Sequence, residues 1–414
     1  MDTPSVDGER LWGGLHELGR IGDRGDGAMM RVTGSDADRR ARDYFVDRLE
    51  TAGLDVRIDH VGNIYGRLAG RSSREPIIIG SHLDTVPNGG KFDGAAGVLA
   101  ALEVIESWND AAIEPRHPVE VVAFTEEEGT RFGTGLLGSA VASGRLTTED
   151  ALELRDDNGA TLEAVLDEIG YRGDTSPILD ELTAYIELHV EQGPTLDSAG
   201  IPVGLVEAIT GLCQLEVRIH GEANHAGATS MSSRRDSLAA VAEVSVKIER
   251  EARSIAKRTD AVATIGSVDV EPNAANVIPE TVRFTLDIRD TDETARQRLK
   301  TFAIETIETI ASERQLKYEY EEWLDVEATP MDGTLVDRLA SACHSLDIDH
   351  LRLPSGGGHD AMNLAEICPA AMVFVPSEGG ISHNPAEHTD RADLVAGTRV
   401  LEHTVRSLAV EDPR

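Results

Sequence analysis

Pro76-Ile77-Ile78-Ile79-Gly80-Ser81-His82-Leu83-Asp84-Thr85-Val86 is the stretch whose reading decides the fold. Three consecutive isoleucines leave no polar face, the pattern of a strand covered on both sides, as in a parallel sheet packed between helices. The run ends on His82 and Asp84, two residues apart and therefore on one side of an extended chain. A carboxylate so placed can accept the imidazole's second N–H and fix the nitrogen that binds a metal.

Working outward, Ser35 can N-cap a helix that Gly53 ends, with Ala41, Phe45 and Leu49 along it. Residues 94–108 read as a helix, and 119–124 as another strand. Residues 7–205 thus alternate strand and helix patterns, which implies a largely parallel, helix-covered sheet. The middle differs: strand 214–220, helix 234–255, strands 261–270 and 277–288, helix 293–312, strand 317–323. That is β-α-β-β-α-β, the ferredoxin-like order. After Pro330 the first pattern resumes, with a strand at 371–375 and a last helix near 393–408. The expected architecture is an α/β catalytic domain of residues 1–210 plus 329–414, with a smaller ferredoxin-like domain, residues 211–328, inserted in it.

The 414 residues carry a net charge of −35, and that sign opposes nucleic acid and anionic membrane as partners. Aromatics at 4% offer no stacking surface for bases or sugars. Only five of the 39 basic residues are Lys, an acid-rich and Lys-poor balance expected of a surface that stays hydrated in concentrated salt. Cys213, Cys343 and Cys368, odd in number and far apart, make neither a disulfide framework nor a CxxC site. The start Met1-Asp2-Thr3-Pro4 has no signal-peptide pattern, and no run nears the ~20 apolar residues of a membrane span. A cytoplasmic protein is expected.

Four further segments carry chemistry. Asp93 lies in Gly90-Lys91-Phe92-Asp93-Gly94-Ala95-Ala96-Gly97, where small residues allow close backbone approach and a carboxylate can bridge two cations. Glu126-Glu127-Glu128-Gly129 follows a buried strand, and Glu127 and Glu128 reach one site only if the chain turns there. Glu187-Leu188-His189-Val190-Glu191-Gln192-Gly193-Pro194 and Gly380-Ile381-Ser382-His383-Asn384-Pro385 each hold one His. Taken singly, each has an ordinary explanation: a helix cap at Asp93, a solvated acidic loop, a core or loop histidine. Together, three His and two carboxylates, each beside a strand end or a Gly-rich turn, point to a metal centre. No GxSxG elbow, Walker A loop or HExxH occurs.

GSHLDTV, GKFDGAAGV, EEEGTRF, ELHVEQGP, ANHAGATSM, residues 276–279 and GISHNP, in this order over nearly the whole chain, resemble the M20 metallopeptidase-related family. Within it they resemble the amidase/hydantoinase–carbamoylase branch, which holds N-carbamoyl-L-amino acid hydrolases, allantoate amidohydrolases and β-ureidopropionases. The resemblance implies two divalent ions per subunit, Zn²⁺ or Mn²⁺ with Co²⁺ or Ni²⁺ as possible substitutes. Asp93 would bridge both ions, His82 and His189 completing one ligand set and Glu128 and His383 the other. Glu127 is implied as general base and then acid, with Asp84 orienting His82. In the inserted domain, implied to form a homodimer, Arg289 and Asn276 would hold the substrate carboxylate. His225 would reach across the dimer interface to polarise the scissile carbonyl, while Gln192 and the Gly358 backbone orient the substrate.

The implied activity is hydrolysis of the C–N bond of a small N-carbamoyl (ureido) acid, with release of ammonia. A dipeptidase or an N-acyl-amino-acid deacylase is the near alternative. His189 opposes it, because many peptidase relatives use a carboxylate there. A non-catalytic metal-binding scaffold would first lose the base or the ligands, and all are present. Two departures stand out: the run before Met231 lacks the Pro of many relatives, and residues 354–360 carry one Gly more than the common form.

Overall fold

The computed structural model describes residues 4–410 apart from positions 73 and 180. The chain forms two compact units, one made of the residues up to Glu207 and from Met331 onward, the other of Ala208–Pro330.

In the first unit the isoleucine run becomes strand Ile77–His82, buried along its whole length. Parallel to one another across the centre of the sheet run Val119–Phe124, Ile77–His82, Ala184–Val190 and Ala370–Val375, in that order. The flanks are antiparallel: Asp55–Ile58 and Ile64–Leu68 lie beyond Val119–Phe124, and Val203–Ile209 lies beyond Ala370–Val375. Helices Ala95–Asp110 and Arg391–Ala409 pack on the central strands and on each other. Helix Asp36–Thr51 begins at Ser35, whose hydroxyl accepts the Asp38 amide at 3.1 Å. Its Ala41, Phe45 and Leu49 are fully buried, each apolar side chain of the larger two contributing about 1.5–3 kcal/mol relative to exposure.

The second unit is a four-stranded antiparallel sheet in the order Lys317–Val326, Gly211–His220, Thr281–Asp290, Val262–Glu271. Alternate residues Cys213, Leu215, Val217, Ile219 and Val282, Phe284, Leu286, Ile288 form its core with helices Ser237–Ile255 and Glu293–Glu313. The third strand starts at Thr281, later than the sequence pattern implies. Pro279 has no N–H to give to a ladder, so regular pairing begins only beyond it. Among the described residues no helix is long and apolar enough to cross a membrane.

Candidate metal centre

Parallel register brings the first two histidines together. Ile77 pairs with Ala184 and Ile79 with Ile186, so the same offset carried to the strand ends sets His82 level with His189. Neighbouring strands lie about 4.8 Å apart, and the two rings stack with centroids at 5.7 Å. Both side chains are 1% exposed. His82 Nδ1 lies 3.1 Å from the Asp84 carbonyl and His189 Nδ1 lies 3.0 Å from the Val190 carbonyl. A carbonyl only accepts, so both rings carry hydrogen on Nδ1 and turn Nε2 inward.

Those nitrogens meet Asp93. Its Oδ1 lies 3.4 Å from His82 Nε2 and 3.3 Å from His189 Nε2. Its Oδ2 lies 3.4 Å from His383 Nε2, which in turn is 3.4 Å from Glu128 Oε2. Asp93 is held at the foot of helix Ala95–Asp110 by Gly94, whose φ of 63° suits glycine and whose Cβ would stand 2.4 Å from His82 Cε1. The sequence reading missed a second support, Glu387: its Oε1 accepts the amides of Phe92 and Asp93 at 2.9 and 3.0 Å. Nothing in the spacing of Glu387 marks it among 74 acidic residues.

The acidic loop turns at Glu126, which takes a φ of 55°, as well as at Gly129. Glu126 Oε1 accepts the Arg131 and Phe132 amides at 2.7 and 2.9 Å and holds the turn closed. Asp84 supports the same loop, its two oxygens accepting the Glu127 and Glu128 amides at 3.3 and 3.2 Å. This corrects one expectation. The Asp84 carboxylate stands 3.7 Å from His82 Nδ1, and the backbone carbonyl of the same residue takes that N–H instead. Two amide donors hold the carboxylate elsewhere.

The field inside the cradle is negative. Burial raises the Glu127 carboxyl well above its usual range; His82 opposes this, and the Glu128, Asp360 and Asp93 carboxylates add to it. Glu128 is pushed up to about 7, first by burial and next by Asp93. Burial disfavours charge on His82, yet the carboxylates of Glu127, Asp93 and Asp84 raise it well above its ordinary value. His383 is raised to about 9, chiefly by its interaction with Asp93. His82 Nε2 is buried with no hydrogen-bond partner. A buried ring nitrogen with no hydrogen-bond partner, surrounded by excess carboxylate, fits a site for a cation. Donor atoms 3.3–3.4 Å apart also match the ~3.4 Å edge of a tetrahedron around an ion bound at ~2.1 Å. The two sets, His82–Asp93–His189 and Asp93–Glu128–His383, share Asp93.

Gln192 borders the cradle, and Gly358 follows the glycine that packs on Gln192. Gln192 Nε2 donates to Asp93 Oδ2 at 2.8 Å, and a Cβ on Gly357, next to Gly358, would approach Gln192 Oε1 to 3.0 Å. Two more residues escaped the sequence reading as site residues. His359 packs its ring 4.5 Å from that of His189, with Nε2 2.9 Å from Ser355 Oγ, and Asp360 is wholly buried.

His225, Asn276 and Arg289 belong to the second unit, and it does not hold them together. The Asn276 carbonyl accepts the Ala226 amide at 2.9 Å, and His225 bridges to Val277, so both lie beyond the His220–Thr281 end of the ladder. Arg289 pairs with Leu212 near the other end. The intervening residues of an extended strand span about 26 Å at ~3.3 Å each. One chain's Asn276 and Arg289 therefore stand too far apart to grip one small carboxylate together. Arg289 is half-buried, with Nε 2.9 Å from Asp287 Oδ1 and Nη2 3.2 Å from Oδ2.

Residues 78–407 match the family described as Peptidase family M20/M25/M40. The chain belongs to that family. Every residue of the cradle lies within the matched span. The N-carbamoyl-L-amino acid amidohydrolase of Geobacillus stearothermophilus is 42% identical over 410 residues, 98% of this chain and 99% of that protein. The allantoate amidohydrolase of Bacillus subtilis (strain 168) is 35% identical over 399 residues, 95% of each. A crystal structure of an amidase of the hydantoinase/carbamoylase family from Burkholderia multivorans superposes with a TM-score of 0.95 at 38% identity, covering 100% of both chains. This M20 member is a hydrolase of C–N bonds, in a family of metal-dependent enzymes.

Proposed function

We propose that this M20 enzyme hydrolyses the ureido C–N bond of an N-carbamoyl acid, an N-carbamoyl-L-amino acid or allantoate, using two divalent ions. The observation that carries the two-ion reading is Asp93, whose oxygens face two separate donor sets. His82, His189 and Asp93 would hold one ion, and Asp93, Glu128 and His383 the other. Zn²⁺ or Mn²⁺ suits these ligands, as do Co²⁺ and Ni²⁺. When bound, the ions would supply Lewis acidity to the carbonyl and make water more acidic.

Glu127, buried and in contact with the cradle 3.5 Å from His82 Nε2, takes a proton from the attacking water. Attack on the ureido carbonyl breaks its bond to the amino-acid nitrogen, which leaves with the proton that Glu127 carries. The carbamate released falls to carbon dioxide and ammonia. Gln192 and the backbone at Gly358 orient the substrate beside Asp93. Because Arg289 and Asn276 stand at opposite ends of one strand, a substrate that touches both takes them from two chains. In a homodimer formed through the second unit, one subunit's Arg289 binds the substrate carboxylate while the partner lends its Asn276 and, to the carbonyl, its His225.

The names of the relatives support the ureido class, and both name a substrate with a carbamoylated nitrogen and a carboxylate. The test is a substrate panel with metal-reconstituted protein in high salt, measuring ammonia and the co-product. N-carbamoyl amino acids, 3-ureidopropionate and allantoate would be compared with a dipeptide and an N-acetyl amino acid. Faster turnover of either control, without ammonia, would replace this reading with that of a dipeptidase or deacylase.

A further inference from the structure

His225 is exposed, yet one of its ring nitrogens is already engaged. Nδ1 lies 3.0 Å from the amide nitrogen of Gly227 and 3.2 Å from that of Ala228. A backbone N–H can only donate, so Nδ1 must present a lone pair to both. An imidazolium would set its own Nδ1–H against these amides, and so would the neutral ring with its hydrogen on Nδ1. One form remains, the neutral ring protonated on Nε2. We infer that the turn after His225 locks this tautomer, making His225 a fixed N–H donor through Nε2.

The local sequence explains how. The His225 carbonyl accepts the amides of Ala228 and Thr229, each at 3.1 Å, and the Thr229 hydroxyl at 3.0 Å, so the chain curls tightly back over the ring. Small residues at 226–228 make this curl possible. At Gly227 a Cβ would stand 3.2 Å from His225 Cε1, so a larger residue would press on the imidazole. Arg234 braces the turn, donating to the Ala226 carbonyl through Nη2 at 2.5 Å and to the Thr229 carbonyl through Nε at 3.3 Å. On the other side the Ala226 amide is tied to Asn276. Gly227 and Ala228, through their amides, and Arg234, through the turn, are thus positioning residues for His225.

The use of such a lock rests on the reading of His225 as the group that polarises the scissile carbonyl. An oxygen gaining negative charge needs a donor already aimed at it, and an N–H that never leaves its nitrogen requires no rearrangement as charge develops. Free choice between tautomers would present a lone pair to the oxyanion for part of the time.

The test uses full-length, metal-loaded protein labelled with ¹⁵N-histidine, with the His225 signals assigned by difference from His225→Gln. The expected spectrum has a pyridine-type shift at Nδ1 and a pyrrole-type shift at Nε2. Ala228→Pro deletes one amide donor, and Arg234→Met loosens the turn without touching the ring. Either should move both signals toward tautomer averaging and lower kcat about tenfold, with KM changed less than about twofold. Averaged or reversed shifts in the unaltered protein would overturn the lock, as would an unchanged spectrum in both folded variants. If the shifts are as expected but His225→Ala leaves kcat intact, the lock stands and the carbonyl-polarising role falls.

Discussion

His82, Asp93 and His189 are 1–3% exposed, while His225 and Asn276 stand in solvent and Arg289 is half-buried. The first group is fixed from all sides. Strand register sets the two rings level, backbone carbonyls take their outer nitrogens, Gly94 lets a helix begin against His82, and Glu387 holds the Asp93 backbone. The second group is fixed along one dimension only, by where each residue falls on a single sheet and by a turn or an ion pair at that point. A closed cradle can present several donors to one point with spacings near those of a small ion. A row of residues along a strand cannot converge on one point, so it serves a ligand only by lending residues to different places. Substitutions should separate accordingly, those in the first region acting on ions and proton transfer, those in the second on substrate alone.

The largest effect is expected from Glu127→Gln: turnover falls at least ~10³-fold while metal content stays at the level of the parent protein. Near-normal rates at full metal loading would remove Glu127 from proton transfer. His225→Ala follows, with kcat lower by about 10²-fold, KM nearly unchanged and metal content unaffected. Loss of metal in that variant, read by elemental analysis, would break the separation between the two regions. Arg289→Lys should raise KM for carboxylate-bearing substrates about tenfold, because an ammonium cannot reproduce the paired bonds of a guanidinium. An unchanged KM would leave Arg289 in a structural role, its ion pair with Asp287 a contact of ~0–1 kcal/mol at such exposure.

The smallest effect concerns the surface that surrounds both regions. With 74 acidic residues against 39 basic ones, self-repulsion grows as the Debye length lengthens from ~3 Å at 1 M salt to ~30 Å at 0.01 M. Tm should fall by several degrees on dilution, and a Tm that holds or rises would count against salt adaptation.

Much of this was legible beforehand, for physical reasons that differ by residue. An all-apolar run between turn signals marks a buried strand wherever it falls, and Ile77–His82 is one. Ser35 and Gly53 bracket a helix by cap chemistry that acts within four residues. The approach of His82 to His189 was not legible in spacing, since it depends on which strands pair and in what register. Resemblance alone placed them together. Glu387 was invisible because its role is to accept two amides from residues nearly three hundred positions away. The separation of Asn276 and Arg289 within one chain could have been read from the sequence: a strand between them sets them far apart by its rise per residue alone.

The central claim is that Asp93 joins two ion sites, and metal stoichiometry tests it most directly. Protein reconstituted with Zn²⁺ or Mn²⁺, freed of excess ion and measured by elemental analysis, should hold two ions per chain. Asp93→Ala should lose both, whereas His383→Ala should keep the one held by His82 and His189. One ion per chain in the parent protein, or two retained by Asp93→Ala, would contradict the account.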